Sequence, residues 1–177
     1  MNLYIRLFLL LLKRAFVLRP LDIFDACETH FRVNIMDLDL NLHMNNGRYL
    51  TIMDLGRFDL MLKAGVFWTL AKKGYYPVVS SESIRFKKSL EPFQIFTVTT
   101  AIESWNDKDF FMTQKFTRNG MVVAEGYVKG RFKQRKRKGS VPTSEVFELI
   151  GKPYDGPRLS ELANSQIKVE SCLAIKD

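Results

Sequence analysis

The chain has 177 residues, enough for one domain or one domain with an appendage, and too few for two full-sized domains. Hydrophobic residues make up 46% and charged residues 26%, which excludes a disordered or fibrous chain. Lys and Arg outnumber Asp and Glu by 27 to 19, and the net charge of +8 predicts anionic company: nucleic acid, acidic lipid or a phosphorylated ligand.

The first predicted element is a helix from about Asn2 to Val17. Its uninterrupted apolar run is only Leu7 to Leu12, closed by Lys13 and Arg14, with no A-x-A-like cleavage site. A signal peptide wants a longer apolar core, which makes a cleaved signal the least favoured reading, and a spanning helix needs about 20 apolar residues. Two readings remain. The segment lies on an acidic membrane face, or it packs on its own domain or a partner subunit, and packing is the favoured one. Residues 1–20 therefore count as an N-terminal appendage. Cys27 and Cys172 are far apart and lack metal-ligand spacing, so neither a disulfide nor a zinc site is expected, and a reducing compartment fits.

The body, residues 28–138, opens with a strand over Thr29 to Met36 that places Phe31, Val33 and Ile35 on one face. A long helix follows from about Asn46 to Ala64, stopped by Gly65. Tyr49, Met53, Gly56 and Leu60 fall in one narrow sector of it, and Gly56 predicts close approach of another backbone. A short helix is expected over Val66 to Lys73, closed by Gly74. Strands over Ser83 to Leu90 and Gln94 to Ile102 flank a Glu91-Pro92 turn. Two more, Phe110 to Arg118 and Met121 to Phe132, flank the tight-turn signal Asn119-Gly120. One face of the last strand reads Val122, Ala124, Gly126, Val128, Gly130 and Phe132, small enough to admit the long helix. The expectation is an α+β domain, an antiparallel meander wrapped around a single helix. Residues 139–177 read as a surface extension, with a short helix near Ser144 to Ile150 and little pattern in the last twenty residues.

Between the first strand and the long helix, residues 37–49 read DLDLNLHMNNGRY. Asp37, Asp39, Asn41 and His43 alternate with Leu38, Leu40, Leu42 and Met44, which in an extended chain makes one polar row and one apolar row. Asn45 or Asn46 can cap the helix, leaving polarised N–H groups nearby for an anion or a developing oxyanion. A carboxylate beside them can attack a carbonyl or activate water against it. Alternation also suits a solvent-facing strand edge with an ordinary Asn cap, and spacing alone leaves that reading open.

The same residues resemble the signature of hotdog-fold thioesterases, the group that includes 4-hydroxybenzoyl-CoA thioesterase and many acyl-CoA thioesterases. They are especially similar to the Asp-x-Asn-x-His-x-Asn-Asn-x-x-Tyr stretch of plant acyl-acyl-carrier-protein thioesterases. The likeness is tight over thirteen residues and loose over Thr29 to Phe132. It implies a hotdog fold, pairing into a homodimer or a dimer of dimers, a site at the subunit interface, and hydrolysis of acyl-CoA or acyl-carrier-protein thioesters without a cofactor or metal. By position, Asp39 matches the catalytic carboxylate, and Asn41 and His43 match the polar partners of the plant enzymes. Backbone N–H groups of Asn45, Asn46 and Gly47 would form the oxyanion site. Two departures stand out. The benzoyl-CoA enzymes have Gly where this chain has Leu42, and the plant enzymes have a Glu-Cys pair where it has Ser89 and Leu90. The competing reading is a catalytically silent acyl-thioester or lipid-binding module. Asp54 is the alternative carboxylate, because other hotdog enzymes carry theirs on the long helix, although Arg57 three residues on suits an ordinary ion pair.

Residues 131–138, RFKQRKRK, hold six basic residues in eight. A solvated strand end ranks first, then a partner for CoA phosphates, an acidic membrane surface, and nucleic acid last. The CoA phosphate candidates are Lys87, Lys88, Arg131, Lys133 and Arg135. A cytoplasmic protein, with membrane association through its N-terminal segment as a variant, is the expected setting.

Overall fold

The computed structural model describes residues 2–14 and 21–173. Its long helix α2, Asn46–Lys63, is buried nearly all round: Tyr49, Ile52, Met53, Leu55, Gly56, Arg57, Asp59, Leu60 and Leu62 are all inside. A helix buried on nearly every side belongs at the centre of a fold. The sheet that encloses it has strands β1 (Cys27–Arg32), β2 (Tyr75–Phe86), β3 (Ile95–Trp105), β4 (Asp109–Arg118) and β5 (Met121–Gln134). Their order is β1-β3-β4-β5-β2, and every pairing is antiparallel. Helices α1 (Asn2–Arg14), α3 (Val66–Lys72), α4 (Thr143–Leu149) and α5 (Glu161–Leu173) complete the described chain.

The α+β architecture follows the sequence, with corrections. The β4–β5 hairpin turns on Asn119 and Gly120, whose φ values of 47° and 74° are the doubly left-handed pair such a turn requires. The meander runs only through β3, β4 and β5, because β2 crosses to the far side and pairs with β5. Pro77 is tolerated in β2 because that strand is an edge, where a missing N–H breaks no ladder. A bulge at Ser80 further irregularises this edge. The first strand stops at Arg32, and Ile35 is 68% exposed rather than inward.

Close packing between helix and sheet is carried by two glycines. A Cβ on Gly56 would lie 2.8 Å from Thr100 Oγ1 and 3.0 Å from Gln114 Nε2, so the approach is to side chains of β3 and β4, not to backbone. Gly126 admits the Met53 thioether, with Sδ only 2.7 Å from where a Cβ would sit. Gly130, by contrast, makes room for the Phe110 ring of the neighbouring strand. Sequence pattern missed α5, which lies on the outer face of the sheet through Ala163, against Phe111 and Tyr127. Its start is marked by Ser160, whose Oγ accepts from Ala163 N at 3.1 Å.

The N-terminal helix ends at Arg14; the rest of its expected span, to Val17, lies outside the described residues. Its inner face packs as expected. Leu10 is buried, Leu3 and Leu7 pack against the core, and Arg6 reaches Asp37 at 2.5 Å.

Candidate active site

The polar segment is a folded loop rather than an extended row. A turn of 3-10 helix, Ile35–Asp37, begins it, and a Leu38–Met44 bridge closes it. Asp39 N donates to His43 O at 2.8 Å, and Leu42 N donates to Asp39 O at 3.1 Å. Closure this tight leaves Leu42 at φ 59°, in the left-handed region that favours glycine. A residue with a Cβ pays roughly 1–2 kcal/mol there. Alternation of side chains is lost in the turn: Leu40 and Leu42 are exposed and Met44 is buried.

Two aspartates in this loop have opposite surroundings. Asp37 is 1% exposed and accepts from Arg6 at 2.5 Å and from Asn34 N at 2.9 Å, with Arg48 Nε at 3.9 Å. Asp39 is half-buried, and its Oδ1 accepts from the backbone N–H of Asn41 at 2.8 Å and of His43 at 3.2 Å. Asn41 and His43 thus hold Asp39 through their amides. No side-chain bond from the Asn41 carboxamide or the His43 imidazole to Asp39 is formed among the described residues.

The loop delivers directly into α2. Asn45 caps the helix, its Oδ1 accepting from Gly47 N at 2.9 Å. Asn45 N is itself spent on Asp37 O at 2.8 Å. Of the three expected oxyanion donors, two are therefore committed within the chain, and the Asn46 N–H is left in the exposed first turn of an 18-residue helix. Helix N-termini favour negative charge. Tyr49, one turn on, is buried edge-on against Phe86, and burial pushes its phenol up.

Strand β2 ends beside this loop, because Met44 N donates to Leu90 O at 2.8 Å. Lys87 and Lys88 are consequently its neighbours in the fold. Lys87 pairs with Glu125 at 2.8 Å, and the exposed Lys88 ammonium lies 3.6 Å from Met121 Sδ. Arg131, Lys133 and Arg135 sit at the other end of β5. Ala124 faces Phe86, and seven strand residues separate it from Arg131, about 23 Å. Arg131 is bound to Asp109 at 3.0 Å, whereas Lys133 and Arg135 are exposed.

The second half of α2 borders a cavity of about 340 Å³, walled almost wholly by apolar side chains. Leu3 and Leu7 of α1, Phe58 of α2, Leu70 of α3, Val78 of β2 and Phe147 of α4 line different sides. Asp54 and Arg57 supply charge at its wall. Asp54 is bound to Arg57, the ion pair its spacing predicts, and Arg57 also donates to Glu82 at 2.6 Å and to Gln114 at 2.8 Å. Gln114, fully buried, donates in turn to Met53 O and Thr100 Oγ1, both at 2.9 Å. Sequence reading missed this network. Its signal was a lone Gln on the inward face of an apolar strand, between Met112 and Phe116. Eight helical residues separate Asn46 from Asp54, about 12 Å along the axis.

Among the described residues no cluster of His, Cys, Asp and Glu is arranged to hold a metal ion. Residues 33–150 match the family model described as the thioesterase-like superfamily. The chain belongs to that family. Curated relatives include Protein THEM6 of Danio rerio, 30% identical over 79% of this chain and 68% of that protein. Protein THEM6 of Xenopus laevis is 29% identical over 71% of this chain and 59% of its own length. The chain thus spans about three-fifths to two-thirds of these relatives. The long-chain acyl-CoA thioesterase FadM of Escherichia coli is 25% identical over 57% of this chain and 78% of its length. The crystal structure of the YbaW probable thioesterase from Escherichia coli superposes with a TM-score of 0.64, covering 71% of this chain and 98% of that one at 23% identity. That likeness establishes the hotdog fold, with the sheet wrapped around α2.

Proposed function

We propose that the chain hydrolyses acyl-CoA thioesters to free acid and CoA, with Asp39 as nucleophile or general base. The observation that carries this reading is the Asp39 carboxylate, fixed through Oδ1 by two backbone amides at the start of the central helix. Its other oxygen is left to attack the thioester carbonyl or to orient water toward it. The Asn46 N–H, at the positive end of α2, receives the developing oxyanion. Collapse of the tetrahedral adduct breaks the C–S bond and expels CoA as the thiolate, which takes a proton to give the thiol. In the nucleophilic variant, water then cleaves the Asp39 anhydride; in the general-base variant, it attacks directly. Lys88 is the neighbouring cation best placed for a CoA phosphate. The apolar cavity suits the acyl group.

Carboxylate and cavity lie at different stations along α2, so the reading includes a homodimer in which the loop of one chain serves the cavity of its partner. Edge strand β2 offers unpaired backbone for such pairing. Two observations keep alternatives alive. Asp54, not Asp39, borders the cavity within one chain. Ser89 and Leu90 replace the plant Glu-Cys pair, and Leu90 is fully buried, which suits a silent acyl-thioester-binding module. A thiol-release assay over short, long and aromatic acyl-CoAs is the test. Turnover of at least one supports the enzyme; measurable binding without turnover of any hands the case to the binding module.

A further inference from the structure

Helix α1 is apolar on both sides, and only one side is covered. Leu3, Arg6, Leu7 and Leu10 face the domain, and the one charge among them is bound by Asp37. On the opposite face Tyr4 is 75% exposed, Ile5 54%, Phe8 59%, Leu9 49%, Leu11 39% and Leu12 47%. At 100° per residue these six fall within a sector of about 160°. Scattered apolar residues on a surface need no explanation, but a contiguous patch of this kind marks a docking face.

Charge selects the occupant. Apart from Arg6, which Asp37 binds on the inner face, residues 1–21 contain Lys13, Arg14 and Arg19 and no Asp or Glu. A second copy would bring the same basic segment to the contact, with no acid to meet it. An anionic surface meets it well, and an apolar helix with basic residues at its end is the form that lies in a lipid interface. Thirteen residues span only about 20 Å, short of a bilayer core, and no helix among the described residues is long and apolar enough to cross a membrane. Helix α3, which lines the same cavity as α1, carries exposed Trp68 and Lys72, with exposed Lys73 at its C-terminal cap. Trp and Lys are both at home at headgroup level.

We infer that the outer face of α1 docks on the surface of an anionic bilayer, while its inner face holds the domain. The inference does not depend on the thioester reading. It joins the two readings that the sequence left as rivals, because each takes a different face of one helix. Docking also sets the cavity beside the lipid, since Leu3 and Leu7 line it from the same helix.

The test is flotation of the full chain with vesicles of phosphatidylcholine alone and of phosphatidylcholine mixed with phosphatidylserine. The chain is expected to float with the mixed vesicles and not with the neutral ones, and raising NaCl from about 0.1 M to 0.5 M should release most of it. Lys13→Gln with Arg14→Gln should weaken binding about fivefold per residue. Ile5→Ser, Phe8→Ser and Leu12→Ser together leave the inner face intact and should cost roughly tenfold or more, with melting temperature and solution mass unchanged. Failure to float with mixed vesicles, or equal flotation with both kinds, overturns the inference. So does a fall in solution mass in the triple variant, which would make this face a contact between copies. If the triple variant misfolds, the lipid comparison and the Lys13 and Arg14 variant decide alone.

Discussion

At its N-terminal end α2 meets a loop whose polar groups are satisfied largely by backbone; around its second half it meets apolar side chains from most of the fold. The difference shows in how each end accommodates charge. At the cavity, Arg57 needs Asp54, Glu82 and Gln114 to be tolerated, and Gln114 needs Met53 and Thr100. At the loop, Asp39 needs only two amides and keeps solvent access. Asp37, two residues away, resembles the cavity end: it is buried and held by arginine. Burial makes a charge structural; partial exposure beside a helix terminus leaves it free for chemistry.

The contrast between the two aspartates can be broken directly. Asp37→Ala leaves the Arg6 guanidinium, 11% exposed, without its carboxylate, and should lower unfolding free energy by about 3–5 kcal/mol in urea titrations. Asp39→Ala should cost about 1 kcal/mol by the same measurement, the scale of ordinary hydrogen bonds. Equal losses would show that the two carboxylates are not differently employed. At the cavity end, Gln114→Leu removes a buried acceptor and two donors together, and thermal unfolding should report a loss of about 2–3 kcal/mol. A neutral result would mean that Arg57 finds its partners without Gln114. The smallest effect is expected at Leu42. Leu42→Gly should shift stability by no more than about 1 kcal/mol, upward or neutral, because relief of the left-handed strain offsets the greater freedom of the unfolded chain. A clear fall in melting temperature would remove the claim of strain in the loop.

Elements set by local pattern were legible in the sequence. Asn119-Gly120 announced its turn, Gly65 its helix end, and the spacing of Tyr49, Met53, Gly56 and Leu60 the buried helix. Strand β2 was misplaced because Pro77 and the run of serines from Ser80 obscure its alternation, while its partnership with β5 is long-range and leaves no local mark. The polar loop was misread as extended, since a turn closed by Leu42 at positive φ uses a residue that gives no turn signal. Asp39 lies close to the helix start because chain connectivity alone puts it there, whereas its backbone-amide donors, products of the turn, left no mark in the sequence. The Arg57 network could not be assembled from sequence: its members lie on α2, β2 and β4 and meet only when the sheet closes.

The central claim is that thioester hydrolysis runs on Asp39. Its most direct test is thiol release from a saturating acyl-CoA by wild type, Asp39→Asn and Asp54→Asn, each first shown to be folded by circular dichroism and solution mass. Asp39→Asn should lose kcat by a factor on the order of 10² or more, with Asp54→Asn losing less than about tenfold. Wild-type activity in Asp39→Asn, or a greater loss in folded Asp54→Asn, would contradict it.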